Sequence, residues 1–431
     1  MTTIGILGGG LSAISLQHLL SHPNEILEKE DRVGGLCRSF TKDGFTYDVG
    51  GHILFSKDEP VMEFVKDILG ANIRRCRREN KILYKNRFVK YPFENGLSAL
   101  DKDDIYDCLI GFLRNPYPPP TDFEGWIYHR FGKGIAEKYL IPYNRKIWKT
   151  PLTQMGLEWV ERVPKPPLED IVKSAVGIET EGYLHQLYFL YPQSGGIEAL
   201  IQSLLKPQSS IQTAFPIRHI QKKGDGWLIS DGSRERIYPK IVSTLPIKEA
   251  VSLFENVPPQ VKSAAEGLRH NAVRVMMIGV NNESLLDKSA VYLPSPDIWA
   301  HRICYMGFFS PQNVPPGKSS LIAEITTHQD HELYHVSGDV LLERTADQLH
   351  AVGVINKKDI IATDIKDFEY GYVVYDLEYK KNLAVVKGYF ESLGIILHGR
   401  FAEYEYINMD EVIKRSMRLA DRLNGEYLSQ A

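Results

Sequence analysis

The chain has 431 residues, a formal net charge of −3, and ordinary shares of apolar (43%) and charged (24%) residues. That length implies two or three domains, more than one core supports comfortably. The near-neutral charge leaves no footprint for nucleic acid or an anionic membrane, and no apolar run reaches membrane-spanning length.

The first element is an apolar strand, Ile4-Gly5-Ile6-Leu7, running into Gly8-Gly9-Gly10-Leu11-Ser12-Ala13. A helical stretch follows from Ile14 to Leu20, then a second apolar segment that ends on an acid, Ile26-Leu27-Glu28. Strand, glycine turn, helix, strand and acid make up the dinucleotide-binding unit. Gly8 allows the tight turn, Gly10 lets backbone N–H groups approach a pyrophosphate, and small Ala13 lets the helix pack close to the strand. The helix N-terminus then presents donors and partial positive charge to phosphates. Glu28, 20 residues after Gly8, can accept hydrogen bonds from a ribose. The chain enters its first strand at once, which predicts no signal peptide and a cytoplasmic location.

Gly34-Gly35-Leu36 reads as a second close backbone approach, with Arg38 either meeting a phosphate or solvated on a surface turn. Phe45 to Val49 alternates like a strand and ends at Gly50-Gly51-His52. That turn fits backbone pressed against a flat ligand with an imidazole beside it, although taken alone it reads first as a satisfied loop histidine. An amphipathic helix is predicted over 60–69. Lys81 to Tyr84 and Arg87 to Tyr91 read as a hairpin across Lys85-Asn86. Residues 97–176 are dominated by helical periodicity, with a proline-rich break at 116–120 and a cap at Thr121 or Asp122. Strands are predicted at 211–220, 227–230, 241–245, 273–280 and 320–326. A last helix is predicted over 411–423, capped by Asn408 or Asp410. Cys37, Cys76, Cys108 and Cys304 lack metal spacing and read as free thiols in a reducing compartment, so no metal site is expected.

Taken together, the fingerprint, Glu28, Gly34-Gly35 and the distant Gly399-Arg400 before a helix resemble the two-dinucleotide-binding-domain flavoproteins, which bind FAD. That group includes amine oxidases, protoporphyrinogen oxidases, carotenoid desaturases and UDP-galactopyranose mutases. Further stretches are similar to the mutases: the loop Asp48 to Ser56, Tyr91-Pro92-Phe93-Glu94-Asn95, Tyr143 to Trp148, Trp159 to Val163, His301-Arg302, and Gly399 to Asp410.

The fold implied is α/β. A discontinuous Rossmann-like FAD-binding domain (1–96, 181–250 and 385–431) carries an inserted helical domain (97–180) and an antiparallel β-sheet domain (251–384). The activity implied interconverts pyranose and furanose forms of an NDP-hexose through a covalent flavin N5–sugar adduct, with reduced FAD as the active form. Other implied roles are a nucleotide-sugar substrate, NAD(P)H or a reductase as reductant, and no nucleic-acid or membrane partner. The sugar, the reductant and the oligomeric state, a homo-oligomer included, stay open.

By the same resemblance Gly8, Gly10, Leu11, Ser12, Glu28, Lys29, Gly35, Leu36, Gly50, Gly51, His52, Arg400, Met409 and Asp410 hold the cofactor. Tyr91, Phe93, Glu94, Asn144, Trp148, Arg162, Tyr292, Arg302, Tyr404 and Tyr406 contact substrate, and His52, Arg162, Arg302 and Tyr406 act in catalysis. Arginine suits a diphosphate because guanidinium pairs bidentately with its oxygens. Tyr404 and Tyr406, two apart, would share one face of an extended segment.

Two departures stand out. Glutamine is expected at position 94, and an ionised Glu94 only accepts hydrogen bonds. Glu94 therefore either reads a base with two adjacent donors, such as guanine, or points to solvent. A tyrosine is expected where Phe309 stands. The competing reading is an amine oxidase or desaturase-type oxidoreductase.

Overall fold

The computed structural model describes residues 3–182 and 186–428. Its first sheet has five parallel strands in the order Ile396–Leu397, Lys240–Ser243, Ile4–Leu7, Asn24–Leu27, Ile211–Gln212. All four residues of the central strand Ile4–Leu7 are buried, the pattern of a parallel sheet covered on both faces. The predicted first strand, second strand and 241–245 strand thus lie side by side. Three distant pieces of chain build this one sheet.

The helix Leu11–Leu19 starts three residues earlier than the periodicity predicts, directly after Gly10, because the glycine turn feeds straight into it. It packs against the C-terminal helix Met409–Leu428. Ser15 and Ser416 hydroxyls meet there at 2.7 Å, and Ser416 is 2.8 Å from His398 Nε2. Asn408 precedes that helix and its carbonyl accepts from Val412, while Asp410 falls inside the first turn. The strand predicted over 211–220 is split. Ile211–Gln212 joins the parallel sheet and His219–Lys223 joins a separate three-stranded sheet, with Ala214 at φ 48° and Pro216 between them.

The second large sheet has seven strands, in the order Ile360–Val373, His270–Val280, Ser319–Thr327, Arg302–Tyr305, Ala290–Tyr292, Asn80–Tyr84, Arg87–Lys90. It is antiparallel except where Ala290–Tyr292 runs parallel to Asn80–Tyr84. The predicted hairpin across Lys85-Asn86 forms, both residues having positive φ (46° and 59°), as a two-residue hairpin turn requires. It belongs to this sheet, not to the nucleotide-binding one, and so carries Tyr91 toward Tyr292.

Between the two sheets' sequences lie the helices Lys102–Leu113, Phe123–Ile135, Ile141–Trp148 and Leu168–Ala175. Asp122 caps the second, accepting from Gly125 N at 2.9 Å. The first two cross where only glycine fits. A Cβ on Gly134 would lie 2.3 Å from the Asp107 carbonyl. No helix among the described residues is long and apolar enough to cross a membrane. The four cysteines are free and buried.

Candidate active site

One cavity of about 1330 Å³ runs from the glycine turns of the parallel sheet to the seven-stranded sheet. Cavities for a single small ligand span roughly 300–1000 Å³, so this one has room for two.

Its first arm is lined by Gly8 to Ser12, Leu27 to Glu30, Gly34 to Arg38, Phe215 to Ile217 and Thr244 to Pro246. Gly8 turns at φ 95° and Gly35 at φ 54°. A Cβ built on Gly10 would meet nothing within 4 Å, so the backbone there faces open space. Glu28 is buried, and its two oxygens accept from Gly9 N (2.6 Å) and Glu30 N (2.9 Å). Those bonds fix the carboxylate while leaving each oxygen another lone pair. Arg38 donates from Nε to Gly35 O at 3.0 Å, so it lines the cavity braced by its own turn. Gly399, at φ 106°, docks on the start of the first helix; a Cβ there would lie 2.1 Å from Ser12 Oγ. The distant C-terminal Gly-Arg thereby reaches the N-terminal fingerprint.

At the junction of the arms sits Gly50-Gly51-His52. Gly50 has φ 95°, and a Cβ on Gly51 would lie 2.7 Å from Cys304 Sγ. His52 lines the cavity with Nδ1 buried and lacking a hydrogen-bond partner. Burial, then the positive charges of Arg400 and Arg302, push its pKa down to about 3, so the ring is neutral near pH 7. Arg400 donates to the Gly371 carbonyl and lies 3.8 Å from the centre of the Tyr406 ring. Arg162 lies 4.7 Å from the same ring and donates to Asn408 Oδ1 (3.2 Å) and the Tyr406 carbonyl. Tyr406 stacks on Tyr372 at 5.5 Å.

The second arm is lined by Tyr91, Tyr292, Asn80, Ser289, Arg78, Gln186, Arg302, Cys304 and Glu324. Tyr91 and Tyr292 stack at 4.6 Å. Asn80 donates to the Tyr292 hydroxyl (3.4 Å) and accepts from Ser289 Oγ (2.6 Å). Arg302 makes a bidentate pair with Glu324, Nε to Oε1 at 2.8 Å and Nη2 to Oε2 at 2.7 Å.

Gly8, Gly10, Leu11, Ser12, Glu28, Lys29, Gly35, Leu36, Gly50, Gly51, His52, Tyr91, Arg162, Tyr292, Arg302, Arg400, Tyr406 and Met409 therefore share one cavity. Six predicted residues lie elsewhere. Tyr404 adopts φ 54°, which breaks the extended segment, so the two-residue spacing no longer puts it beside Tyr406. Its side chain is fully buried and its hydroxyl has no partner. Phe93 stacks on Tyr139 at 5.3 Å, toward the helices. Glu94 is 1% exposed and off the cavity, so neither a base-reading nor a solvent-facing carboxylate matches its position. Burial raises its pKa to about 7. Asn144 is occupied within its helix, accepting from Trp148 Nε1 (3.1 Å) and donating to Leu140 O (2.8 Å). Trp148 sits one layer back, edge-on to Trp159 at 4.7 Å. Asp410 is in the helix turn beside the cavity, not on its wall. Phe309, where a tyrosine is expected, does line it.

Glu324, Tyr372, Cys304 and Arg78 line the site without having been predicted. Glu324 had a readable signal: one acid within the Leu321-Ile322-Ala323-Glu324-Ile325 run of the wholly buried strand Ser319–Thr327. A buried charge is retained only when paired. Tyr372 had none, being one of 23 tyrosines.

A family model described as an NAD(P)-binding Rossmann-like domain matches residues 6–68. UDP-galactopyranose mutase of Mycoplasma genitalium (strain ATCC 33530 / DSM 19775 / NCTC 10195 / G37) is 23% identical over 225 residues, 48% of this chain and 52% of that protein. The chain spans about half the length of the curated relatives it matches. A crystal structure of reduced UDP-galactopyranose mutase superposes with a TM-score of 0.90 at 26% identity, over 99% of this chain and 96% of that one. A putative protoporphyrinogen oxidase from Exiguobacterium sp. 255-15 superposes at 0.76 with 16% identity, covering 99% of each chain. The fold is shared with reduced UDP-galactopyranose mutase and, at lower identity, with a putative protoporphyrinogen oxidase. In sequence as in fold the chain is UDP-galactopyranose mutase-like.

Proposed function

We propose that the chain binds FAD in the first arm and a nucleotide-diphosphate sugar in the second, and interconverts pyranose and furanose forms of the sugar. The observation that carries this reading is the pair Arg162 and Arg302, both facing one cavity beside the Gly50-Gly51-His52 junction. The first arm fits a dinucleotide. Gly10 leaves its backbone open, Glu28 is held by two N–H groups, and the buried His52 Nδ1 and Arg400 Nε are without partners at the far end. Gly8 to Ser12, Glu28, Lys29, Gly35, Leu36, Gly50 to His52, Arg400 and Met409 would hold it, within domains divided as the sequence suggests except that the hairpin at 80–90 joins the seven-stranded sheet. Bound in its reduced form, the flavin supplies a nucleophile for the anomeric carbon.

The remaining work belongs to the chain's own groups. Arg162 and Arg302 draw in the diphosphate and stabilise its charge as it separates from the sugar. The Tyr406 hydroxyl adds a donor at the same wall. Tyr91 and Tyr292 offer a stacked aromatic surface for the base, and Asn80 and Ser289 the polar groups beside it. Neutral His52 holds a free lone pair or N–H at Nδ1 for proton exchange at the junction. Because Glu94 stands off the cavity, it carries no preference between uracil and guanine, and the nucleobase stays open. NAD(P)H or a reductase would supply the electrons.

The test is anaerobic. Holoprotein reduced with dithionite is incubated with UDP-galactose and GDP-mannose, and products are separated by chromatography. A furanose isomer formed only by reduced protein supports the reading. No isomerisation, together with oxygen consumption by the oxidised protein and an amine in a separate aerobic assay, overturns it in favour of an oxidoreductase.

A further inference from the structure

Arg302 has two anions to hold. Its Nε and Nη2 are already committed to Glu324, which is 1% exposed, lines the cavity and also accepts from Gly51 N at 3.3 Å. A diphosphate drawn to Arg302 therefore arrives beside a buried carboxylate. Like charges sharing a buried site favour a bound proton.

The structure supplies a place for it. His301 precedes Arg302 in the chain and is 1% exposed. Its Nε2 is 3.9 Å from Glu324 Oε2, neither ring nitrogen makes a hydrogen bond of ordinary geometry, and the Glu324 backbone carbonyl also favours a proton on the ring. A small movement of the ring closes that gap to a hydrogen bond. An unpartnered buried imidazole is costly on stability grounds alone, and this one lies against the carboxylate that a diphosphate would crowd.

We propose that binding of a diphosphate at Arg302 is coupled to uptake of one proton by the His301–Glu324 pair. The inference rests on the nucleotide-sugar reading. The proton comes from solvent through the cavity that Glu324 lines, resides on His301 Nε2 or Glu324 Oε2, and returns to solvent when the diphosphate leaves. Facing the imidazole are Arg302 from its own strand, Tyr143 and Lys146 from the helix Ile141–Trp148, Lys149 just beyond that helix, Glu324, and Tyr372 from the strand Ile360–Val373. Facing the carboxylate are Arg302, Cys304 and the Tyr143, Tyr292 and Tyr372 rings. Without ligand, burial and then the three cations hold His301 neutral. An incoming diphosphate offsets those cations and turns the balance toward a proton. His301 is thus a positioning residue: it lets Arg302 be shared with substrate without stranding Glu324.

The experiment is calorimetric binding of UDP-galactose and of GDP-mannose to the holoprotein near pH 7.5, in buffers of different ionisation enthalpy. Each phosphate of these probes carries one ester and the shared anhydride and does not titrate near neutrality, so any proton counted belongs to the holoprotein. Uptake approaching one proton per site is expected, with affinity rising up to about tenfold per unit fall in pH. Glu324→Gln should abolish the uptake. His301→Gln should at least halve it near pH 7.5 and move it to lower pH, the carboxylate then being the sole acceptor. Should Glu324→Gln fail to fold, the His301→Gln result decides. Binding without proton uptake, or uptake unchanged by the substitutions, overturns the inference alone. Failure of both probes to bind overturns the nucleotide-sugar reading and the inference with it.

Discussion

Gly399→Ala tests how the C-terminal segment is locked onto the cofactor arm. Gly399 sits at φ 106°, a region that strains any residue with a Cβ, and the new methyl would stand 2.1 Å from Ser12 Oγ. Ordinary contact needs roughly 3.5 Å, so one group must move by about 1.4 Å. The backbone strain costs about 1–3 kcal/mol and the overpacking another 1–3. The sum, about 2–6 kcal/mol, is a large part of the 5–15 kcal/mol that typically holds a fold. The two components separate in a double-mutant cycle with Ser12→Gly. Removing the Ser12 side chain relieves the clash and leaves the strain, so a coupling of about 1–3 kcal/mol is expected. The assay is urea unfolding of the four proteins, read as midpoint shifts. A Gly399→Ala protein within about 0.5 kcal/mol of wild type, or additive substitutions, refutes the reasoning.

Three further outcomes follow from the same geometry. Arg302→Met leaves Glu324 buried and unpaired and should destabilise by about 3–5 kcal/mol, most of it recovered by adding Glu324→Leu; thermal unfolding of the set checks this. Tyr404→Phe removes a buried hydroxyl without a partner, so stability should hold or rise and nucleotide-sugar affinity stay unchanged, whereas Tyr406→Phe should lower kcat/KM. Glu94 has its pKa raised from 4.5 to about 7, so the folded state binds the extra proton and stability falls as pH rises through that window. Denaturant titrations should therefore show Glu94→Gln gaining on wild type between pH 4.5 and 8, by up to about 3 kcal/mol, and the gap should be flat if Glu94 is ordinary.

Much of the cofactor arm was legible because it rests on backbone geometry. Gly8 and Gly35 are needed for their positive φ angles, and glycine announces such positions in the sequence. The hairpin across Lys85-Asn86 was readable for the same reason, but its partner was not. Pairing of Asn80–Tyr84 with Ala290–Tyr292 joins segments about 200 residues apart, and no local pattern records it. The substrate arm was read less well. Phe93, Glu94, Asn144 and Trp148 carry suitable chemistry, yet their side chains turn into the core of the helices behind the wall. Tyr404 was misplaced by a single positive φ, which alternation along a strand cannot foresee. Arg302 was read as a free clamp because its partner Glu324 lies 22 residues away on the neighbouring strand.

The central claim is that one cavity holds two ligands meeting at Gly50-Gly51-His52. Its most direct test is an anaerobic titration of the reduced holoprotein with a nucleotide-diphosphate sugar, followed by flavin absorbance. A saturable change in the flavin spectrum, displaced by the free nucleoside diphosphate and weakened at least tenfold by Arg162→Met, is predicted. Binding detected by calorimetry with no change in the flavin spectrum would contradict it.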